Sequence, residues 1–239
     1  MENKREKMLT NSKNNAAIIV AGGLGHRMNS NLPKQFMNLG GKPVVQWSLE
    51  CFNNVDSVKK IILVLPEEWL DEGKKYIKNF IPTKEFSITI GGKLRQDSVW
   101  NGLNQLNNDF DFVAVHDAAR PGLTIELVNE GFKTANEKGN AIFAVPSYDT
   151  LAIVENSEII DNADRNKVFR IQTPQIFTYK ILKEALENAK KQNIVGTDEA
   201  SLVRKLGYKV YITLGSERIS KITTSEDLET AEFLLNKRK

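Results

Sequence analysis

Short apolar runs recur through the first 145 residues, and each is followed by glycine, proline or polar residues. They are residues 16–21 (AAIIVA), 60–65 (KIILVL), 86–90 (FSITI), 112–115 (FVAV) and 141–145 (AIFAV). Because nearly continuous apolar strands are typical of strands buried on both faces, the pattern predicts an α/β fold with a mostly parallel sheet and helices on both faces. Ligands bind beyond the carboxyl ends of such strands, so the residues that follow each run carry the most information.

Helical spacing of apolar residues predicts the remaining elements. Predicted helices cover residues 44–52, 67–80, 179–191, 197–206 and 225–235, another starts at about residue 94, and a last strand covers 208–214. Thr197 and Ser225 are the expected N-caps of the helices that they open. The segment at about 147–170 alternates strand-like pieces with polar turns and is predicted to form a projecting β-arm. We therefore expect a flexible extension at 1–15 and a single domain at 16–239 that carries this arm as an insertion.

Composition excludes several classes of protein. The net charge of +3 is spread along the chain, without the dense basic stripe of a nucleic-acid binder. One cysteine, Cys51, allows no disulfide within the chain, and no cluster of zinc-type ligands occurs. The longest apolar run, residues 61–66, is too short to cross a bilayer, and residues 1–15 lack the apolar core of a signal peptide. We expect a cytoplasmic protein with neither a nucleic-acid nor a membrane partner.

A glycine-rich turn follows the first strand, in the sequence AGGLGHRM at 21–28 with PKQ at 33–35. Glycines such as Gly22, Gly23 and Gly25 let the backbone approach a ligand and point N–H groups at phosphate oxygens. The turn is neither a dinucleotide fingerprint nor a P-loop, because the third glycine and the G-K-[ST] signature are missing. Arg27 and Lys34 add two cations, which suit a triphosphate, although glycine turns with surface cations are also common without a ligand.

Two further segments follow later strands. In GGKLRQDS at 91–98, Arg95 and Ser98 share one face near a helix N-terminus, a position that favours anions, although a simple turn and cap would look the same. In VHDAARP at 115–121, an apolar strand runs directly into Asp117. Asp117 can help to hold Mg²⁺, directly or through water, can hydrogen-bond the hydroxyls of a sugar-like acceptor, or can cap the next helix. The histidine of this segment, His116, is expected to be a packed structural residue.

Taken together, the segments resemble one family. The motifs are AGGLGHRM with PKQ, GGKLRQDSV, VHDAARP, DT at 149–150, DRN at 164–166, QTPQIF at 172–177, TDEAS at 197–201, and KIT at 221–223 followed by EDL. In this order, over residues 16–235, they resemble 2-C-methyl-D-erythritol 4-phosphate cytidylyltransferases of the non-mevalonate isoprenoid route. The resemblance implies a Rossmann-like sheet, a homodimer clasped by the β-arm, CTP and Mg²⁺ (or another divalent cation), and a phosphorylated branched polyol as acceptor.

The resemblance also implies roles for individual residues. Arg27 and Lys34 would stabilise the transition state, and Arg165 and Lys221 would hold the acceptor phosphate. Asp117, Arg120 and Thr197 would line the acceptor site, with Arg165 and Thr150 coming from the arm of the other subunit. The cytosine would be surrounded by Ala21, Gly22, Gly92 and Ser98, with Gly23, Gly25, Arg95 and Thr173 as further substrate-binding residues.

Three alternatives remain open at the level of sequence. Ribitol-5-phosphate cytidylyltransferases share the glycine loop, the PKQ and the HDA-x-RP element, and differ only in the acceptor. An NAD-dependent dehydrogenase would need a third glycine at Met28 and an acid at the end of the second strand, where Leu65 and Pro66 lie. A nucleotide-sensing module without catalysis is disfavoured by the set Arg27, Lys34, Asp117 and Lys221.

Overall fold

A seven-stranded sheet forms the centre of the protein. The computed structural model describes residues 13–22 and 32–237, so residues 1–12 of the extension predicted at 1–15 lie outside these ranges. The first strand begins at Asn15, one residue before the predicted start. Across the sheet the strands are β11 (Ile212–Leu214), β7 (Asn140–Pro146), β10 (Phe169–Thr178), β6 (Phe112–Asp117), β1 (Asn15–Val20), β4 (Val58–Leu65) and β5 (Glu85–Ile90). A separate pair, β2 (Asn38–Leu39) and β3 (Lys42–Pro43), lies outside the sheet.

Six of these seven strands run parallel, as the apolar runs predict. Ile18 of β1 lies opposite Ile62 of β4 on one side and Val115 of β6 on the other. The exception is β10, which is antiparallel to both β6 and β7 and which the sequence did not reveal as a strand. Its apolar pattern is interrupted by three polar residues that are nevertheless buried, namely Gln172, Thr173 and Gln175.

Seven helices are described, and six of them cover the two faces of the sheet. They are α1 (Val44–Asn53), α2 (Leu70–Tyr76), α3 (Arg95–Leu103), α4 (Ile125–Lys138), α5 (Tyr179–Lys191), α6 (Glu199–Lys205) and α7 (Ser225–Asn236). In β1, Ala17 and Ile19 face α1, α2 and α4, whereas Ala16 and Ile18 face α3, α5 and α6. The α7 helix packs in a smaller cluster with β2 and the start of α1. None of the helices among the described residues is long and apolar enough to cross a membrane.

The structure corrects several predicted boundaries. The helix predicted over 67–80 is a 3-10 turn at Glu67–Trp69 followed by α2, which ends at Tyr76. The strand predicted over 208–214 is only the three residues of β11, the part that pairs with β7. Both predicted N-caps are one position off, because Asp198 caps α6 through the Ser201 N–H and Thr224 caps α7 through the Asp227 N–H. In each case two adjacent residues had capping side chains, and the sequence did not separate them.

A β-hairpin stands apart from the main sheet within the segment predicted as an arm. Its strands are β8 (Ala152–Glu155) and β9 (Glu158–Asn162), which pair only with each other. Every residue of both strands is exposed. A 3-10 turn at Arg165–Lys167 then leads into β10. The chain therefore leaves the sheet after β7, forms the hairpin and returns beside β7 as the antiparallel strand.

Candidate active site

A cleft opens at the carboxyl ends of the parallel strands, where the fold predicts a ligand site. It lies beyond β1, β5 and β6 and is bordered by the N-terminus of α3 and the segment before α7. Its described lining consists of Val20, Ala21, Gly22, Lys34, Gln35, Gly92, Lys93, Leu94, Arg95, Ser98, Asp117, Ala118, Ala119 and Lys221. The cleft therefore brings together residues from four of the segments that the sequence singled out.

The carboxylate of Asp117 lies at the centre of a charge cluster. Arg95 Nε donates to Oδ1 at 3.0 Å, and Lys221 Nζ donates to Oδ2 at 2.8 Å. Arg120 Nε lies 3.7 Å from Oδ2. Asp117 is buried at the end of β6 and does not cap the next helix, because Thr124 caps α4. One carboxylate thus gathers three cations from three separate segments.

A second buried carboxylate, that of Glu199, forms an ion pair with Arg95. Arg95 Nη1 lies 2.6 Å and 2.8 Å from the two oxygens of Glu199, which is 1% exposed. Glu199 has no predicted role, although it is part of TDEAS. A signal was present, since Glu199 lies three and four residues before the buried Leu202 and Val203 and so falls on the buried stripe of α6.

Burial and ion pairing act in opposite directions on these groups. Burial alone would raise the pKa of Asp117, but Arg95, Lys221 and Arg120 outweigh it and hold that pKa well below its usual range. Burial likewise opposes the charge on Arg95, and the carboxylates of Glu199 and Asp117 more than compensate, so its pKa is raised. Burial raises the pKa of Glu199, and Arg95 opposes that rise. Asp117 is therefore a fixed negative charge at neutral pH and a poor proton acceptor.

Lys34 and the segment that carries Lys221 are tied together. Lys34 Nζ donates to the carbonyl of Ile222 at 2.8 Å, and Ile222 N donates to the carbonyl of Ala119 at 2.8 Å. Arg120 Nη1 donates to the carbonyl of Ile219 at 2.9 Å. The two predicted catalytic lysines thus both lie next to Ile222, with Lys34 buried and Lys221 more than a third exposed.

The glycines after β5 allow a tight turn against α3. Ser98 Oγ accepts from the Gly92 N–H at 3.1 Å and donates to the Leu94 carbonyl at 3.3 Å. A Cβ on Gly91 would lie 2.8 Å from Ser98 Oγ, and a Cβ on Gly92 would lie 2.3 Å from Cβ of Asp97. Ser98 therefore lines the cleft while it also fixes the turn, and its predicted contact with the base stays a prediction.

Thr173 and His116 form a chain of hydrogen bonds that begins at the backbone N–H of Asp117. The Asp117 N–H donates to Thr173 Oγ1 at 3.0 Å, and Thr173 Oγ1 lies 3.1 Å from His116 Nδ1. His116 Nε2 lies 3.3 Å from the Arg120 carbonyl, which can only accept, so Nε2 carries the proton and Nδ1 accepts from the threonine hydroxyl. Burial lowers the pKa of His116 to about 4. His116 is thus a neutral, fully engaged structural residue, as the sequence predicted.

Other predicted site residues lie elsewhere. Thr150 and Arg165 are exposed in the arm segment, and Thr197 is exposed in the turn before α6; none of the three is part of the described lining. Gly23, Gly25 and Arg27 lie outside the described residues. The described part of the chain contains no group of three or more His, Cys, Asp or Glu residues that could hold a metal ion.

Comparison with known proteins identifies the family. The model of the 2-C-methyl-D-erythritol 4-phosphate cytidylyltransferase (IspD) family matches residues 15–237. The chain belongs to this family. A cytidylyltransferase of that name from Dictyoglomus thermophilum is 40% identical over 223 residues, which cover 92% of this chain and 96% of the relative. Its counterpart from Clostridioides difficile is 38% identical over 224 residues, 94% of each chain.

Solved structures agree with this assignment. The 4-diphosphocytidyl-2C-methyl-D-erythritol synthase from Anaerococcus prevotii superposes with a TM-score of 0.83 at 27% identity, over 95% of this chain and 100% of that one. The 2-C-methyl-D-erythritol 4-phosphate cytidylyltransferase from Thermus thermophilus gives 0.76 at 29% identity, over 92% and 98% of the two chains. The predicted fold class is therefore confirmed, and the chain is an enzyme of the cytidylyltransferase type.

The buried His116 makes folding stability depend on pH. Because its folded pKa of about 4 lies below its unfolded value of 6.5, the unfolded chain binds more protons between these values, so stability falls as the pH drops through this window. We expect His116 to lower the free energy of unfolding by on the order of 3 kcal/mol between pH 7.5 and pH 4.5. Urea unfolding at a series of pH values measures this change.

The variant His116→Gln is the control, because it removes the titrating group and leaves His26 in place. Its unfolding free energy is expected to fall less steeply between pH 6.5 and pH 4.5 than that of the wild type. Parallel slopes in the two proteins would show that His116 is not the group responsible.

Proposed function

We propose that the enzyme transfers CMP from CTP to 2-C-methyl-D-erythritol 4-phosphate, a step of isoprenoid precursor synthesis. The observation that carries this proposal is the cleft at the carboxyl ends of the sheet, where Arg95 and Lys221 pair with Asp117 and Lys34 adds a further cation to the lining. Membership of the family supports the choice of nucleotide and acceptor. A cytoplasmic location remains a prediction from sequence.

The proposed reaction needs positioning and charge neutralisation rather than a general base. An acceptor phosphate oxygen, already ionised at neutral pH, forms a bond to the α-phosphorus of CTP. The bond from that phosphorus to the oxygen bridging to the β-phosphate breaks, and pyrophosphate leaves with the electron pair. The described residues agree with this requirement, because Asp117 in the cleft lining is paired with cations. The neighbouring His116 is buried outside that lining and is neutral with both nitrogens engaged.

The roles of individual residues follow from charge and position. Lys34 and Arg27 would neutralise charge that develops at the α-phosphorus, and Lys221 would exchange Asp117 for the acceptor phosphate. Asp117 and Arg120 would then meet the acceptor, with Thr197 at its edge and Thr173 fixing the Asp117 backbone. The nucleotide would bind through the set Ala21, Gly22, Gly23, Gly25, Gly92 and Ser98.

The donor set fits a magnesium ion that arrives on the nucleotide. Asp117 is the one acidic residue in the described lining, and Mg²⁺ usually takes one or two protein carboxylates together with phosphates and waters. Asp117 would therefore hold the ion, directly or through water, when its pairing with Lys221 is exchanged. The ion would supply neutralisation of the triphosphate charge.

The exposed hairpin supports a homodimer with shared sites. Its strands expose the large apolar side chains of Ile153, Val154, Ile159 and Ile160, each between 48% and 65% exposed. Exposed apolar surface of this kind marks interaction sites. A symmetric dimer would bury this surface on the hairpin of each subunit. Arg165, which follows the hairpin directly, would then reach the cleft of the other subunit together with Thr150.

An acceptor panel tests the proposed reaction. Purified protein with CTP and Mg²⁺ is expected to release pyrophosphate with 2-C-methyl-D-erythritol 4-phosphate and not with ribitol 5-phosphate. Turnover with ribitol 5-phosphate alone would contradict the proposed acceptor while keeping the cytidylyl transfer. Binding of CTP without turnover of either acceptor, in folded protein, would contradict the proposed catalysis and favour a nucleotide-sensing module.

Substitution of Lys34 tests its role in the transition state. We expect Lys34→Ala to lower kcat by about a hundredfold or more while KM for CTP changes only a few-fold, because an interaction made in the transition state affects kcat. Steady-state kinetics at saturating acceptor measure both constants. Lys60→Ala, at the opposite end of the sheet on β4, is the lysine control and is expected to behave as wild type. A rise in KM with unchanged kcat would contradict the assignment.

Mixed dimers test whether Arg165 serves the partner's cleft. Lys34→Ala and Arg165→Ala homodimers are each expected to be nearly inactive, because every site lacks one of the two cations. A heterodimer of the two is expected to recover about half of the wild-type activity, since one of its two symmetric sites has both residues.

The heterodimers can be purified through two different affinity tags. Lys167→Ala, an exposed neighbour in the same 3-10 turn, serves as the control for arm substitutions and is expected to stay active. Absence of recovery in purified heterodimers would show that Arg165 does not act across subunits.

A further inference from the structure

A continuous chain of charged contacts runs from the buried first residue of α6 to the cleft. It starts at Glu199, passes through Arg95, and ends at Oδ1 of Asp117. Arg95 contacts its two partners through separate nitrogens, Nη1 for Glu199 and Nε for Asp117. The planar guanidinium is therefore fixed by two carboxylates at once. We call this chain the Glu199–Arg95–Asp117 strut.

Folding alone does not explain a carboxylate at position 199. The position belongs to the buried stripe of α6, where an apolar side chain would pack with Leu202 and Val203. The N-terminus of α6 is already capped by Asp198, whose Oδ1 accepts from the Ser201 N–H. A buried ion pair is often no more stable than apolar residues of similar size, so its presence points to a role in positioning.

The two carboxylate oxygens of Asp117 have different partners. Oδ1 is held by Arg95, which the buried Glu199 anchors from the interior. Oδ2 faces Lys221, which is 38% exposed and can exchange partners when an anion arrives. A carboxylate held through one oxygen by an anchored partner is restrained from rotating, so Oδ2 should keep its orientation when Lys221 leaves.

We propose that Glu199 is a positioning residue that acts through Arg95 to hold the Asp117 carboxylate in the orientation that receives the acceptor. Glu199 touches no substrate. It also balances the charge of Arg95, which would otherwise be drawn toward the phosphates of the nucleotide. The consequence for the acceptor rests on the proposed function, whereas the strut itself is a property of the protein without substrates.

Neighbouring contacts attach the start of α6 and the loop before it to α3 and to β10. The Gln96 side chain donates to the Ile194 carbonyl at 2.9 Å and accepts from the Gly196 N–H at 2.9 Å. Gln175 Nε2 donates to Asp198 at 2.8 Å, and Gln175 Oε1 accepts from the Ala200 N–H at 2.9 Å. The start of α6 is therefore anchored without Glu199, so loss of its charge should release Arg95 without displacing the helix.

A double-mutant cycle separates positioning from mere stability. Glu199→Gln keeps the size of the side chain and removes its charge. We expect it to raise KM for the acceptor roughly tenfold, the effect of losing a charged hydrogen bond, while KM for CTP changes less than about twofold. Arg95→Gln should raise the acceptor KM similarly. The double variant should be no worse than Arg95→Gln within about twofold, because both residues act through one contact.

Two further measurements keep the test decisive. Ile62→Val, at a fully buried position of β4, controls for a loss of thermal stability and should leave both KM values unchanged. In ¹⁵N-labelled protein without substrates, the Arg95 Nε–H signal should be protected from exchange in the wild type and lose protection in Glu199→Gln. If Arg95→Gln does not fold, the test rests on Glu199→Gln alone. This variant should raise KM for the acceptor selectively, whereas Ile62→Val should change neither KM.

Three results would overturn the inference: additive effects in the cycle, equal changes in both KM values, or an Arg95 signal that stays protected in Glu199→Gln. A wild-type protein that turns over no acceptor would instead refute the proposed function. The exchange measurement would then still decide whether Glu199 holds Arg95.

Discussion

The site depends on the buried carboxylate of Asp117. Arg95, Arg120 and Lys221 come from three different segments, and without an anion between them their charges would repel one another. Asp117 gathers them before any substrate is present, and its own burial is tolerable only because they surround it. The protein therefore keeps an internal counter-ion among these cations. In the proposed reaction, phosphates would bind at the same place and replace one ion pair with another.

The parallel sheet explains why this carboxylate lies where it does. Asp117 is the last residue of β6, next to β1, whose end leads into the glycine turn. Strands that are buried on both faces leave no room for charge along their length, so polar residues collect at their carboxyl ends. The register of β1 with β4 and β6 thus fixes the end of β1 beside Asp117 through backbone pairing alone.

The parallel strands and the position of the cleft could be predicted from the sequence. The features that could not be predicted, Glu199 and β10, have physical causes. Apolar runs revealed the parallel strands because each is continuous, and glycines with cations identified the cleft because each follows such a run. Partners such as Glu199 depend on contacts across 104 residues, which no local pattern records, although its place on the apolar stripe was a signal. The strand β10 was missed because Gln172, Thr173 and Gln175 are polar, and only tertiary hydrogen bonds make their burial possible.

That missed strand links the arm to the active site. After the hairpin and Arg165, the chain returns between β6 and β7 as β10, where Thr173 accepts from the Asp117 N–H and Gln175 bonds Asp198 and Ala200. The same strand therefore supports Asp117, the start of α6 and the base of the arm. A dimer that fixes the hairpin would in this way also stabilise the cleft of its own subunit, because no flexible linker separates β10 from the 3-10 turn at Arg165–Lys167.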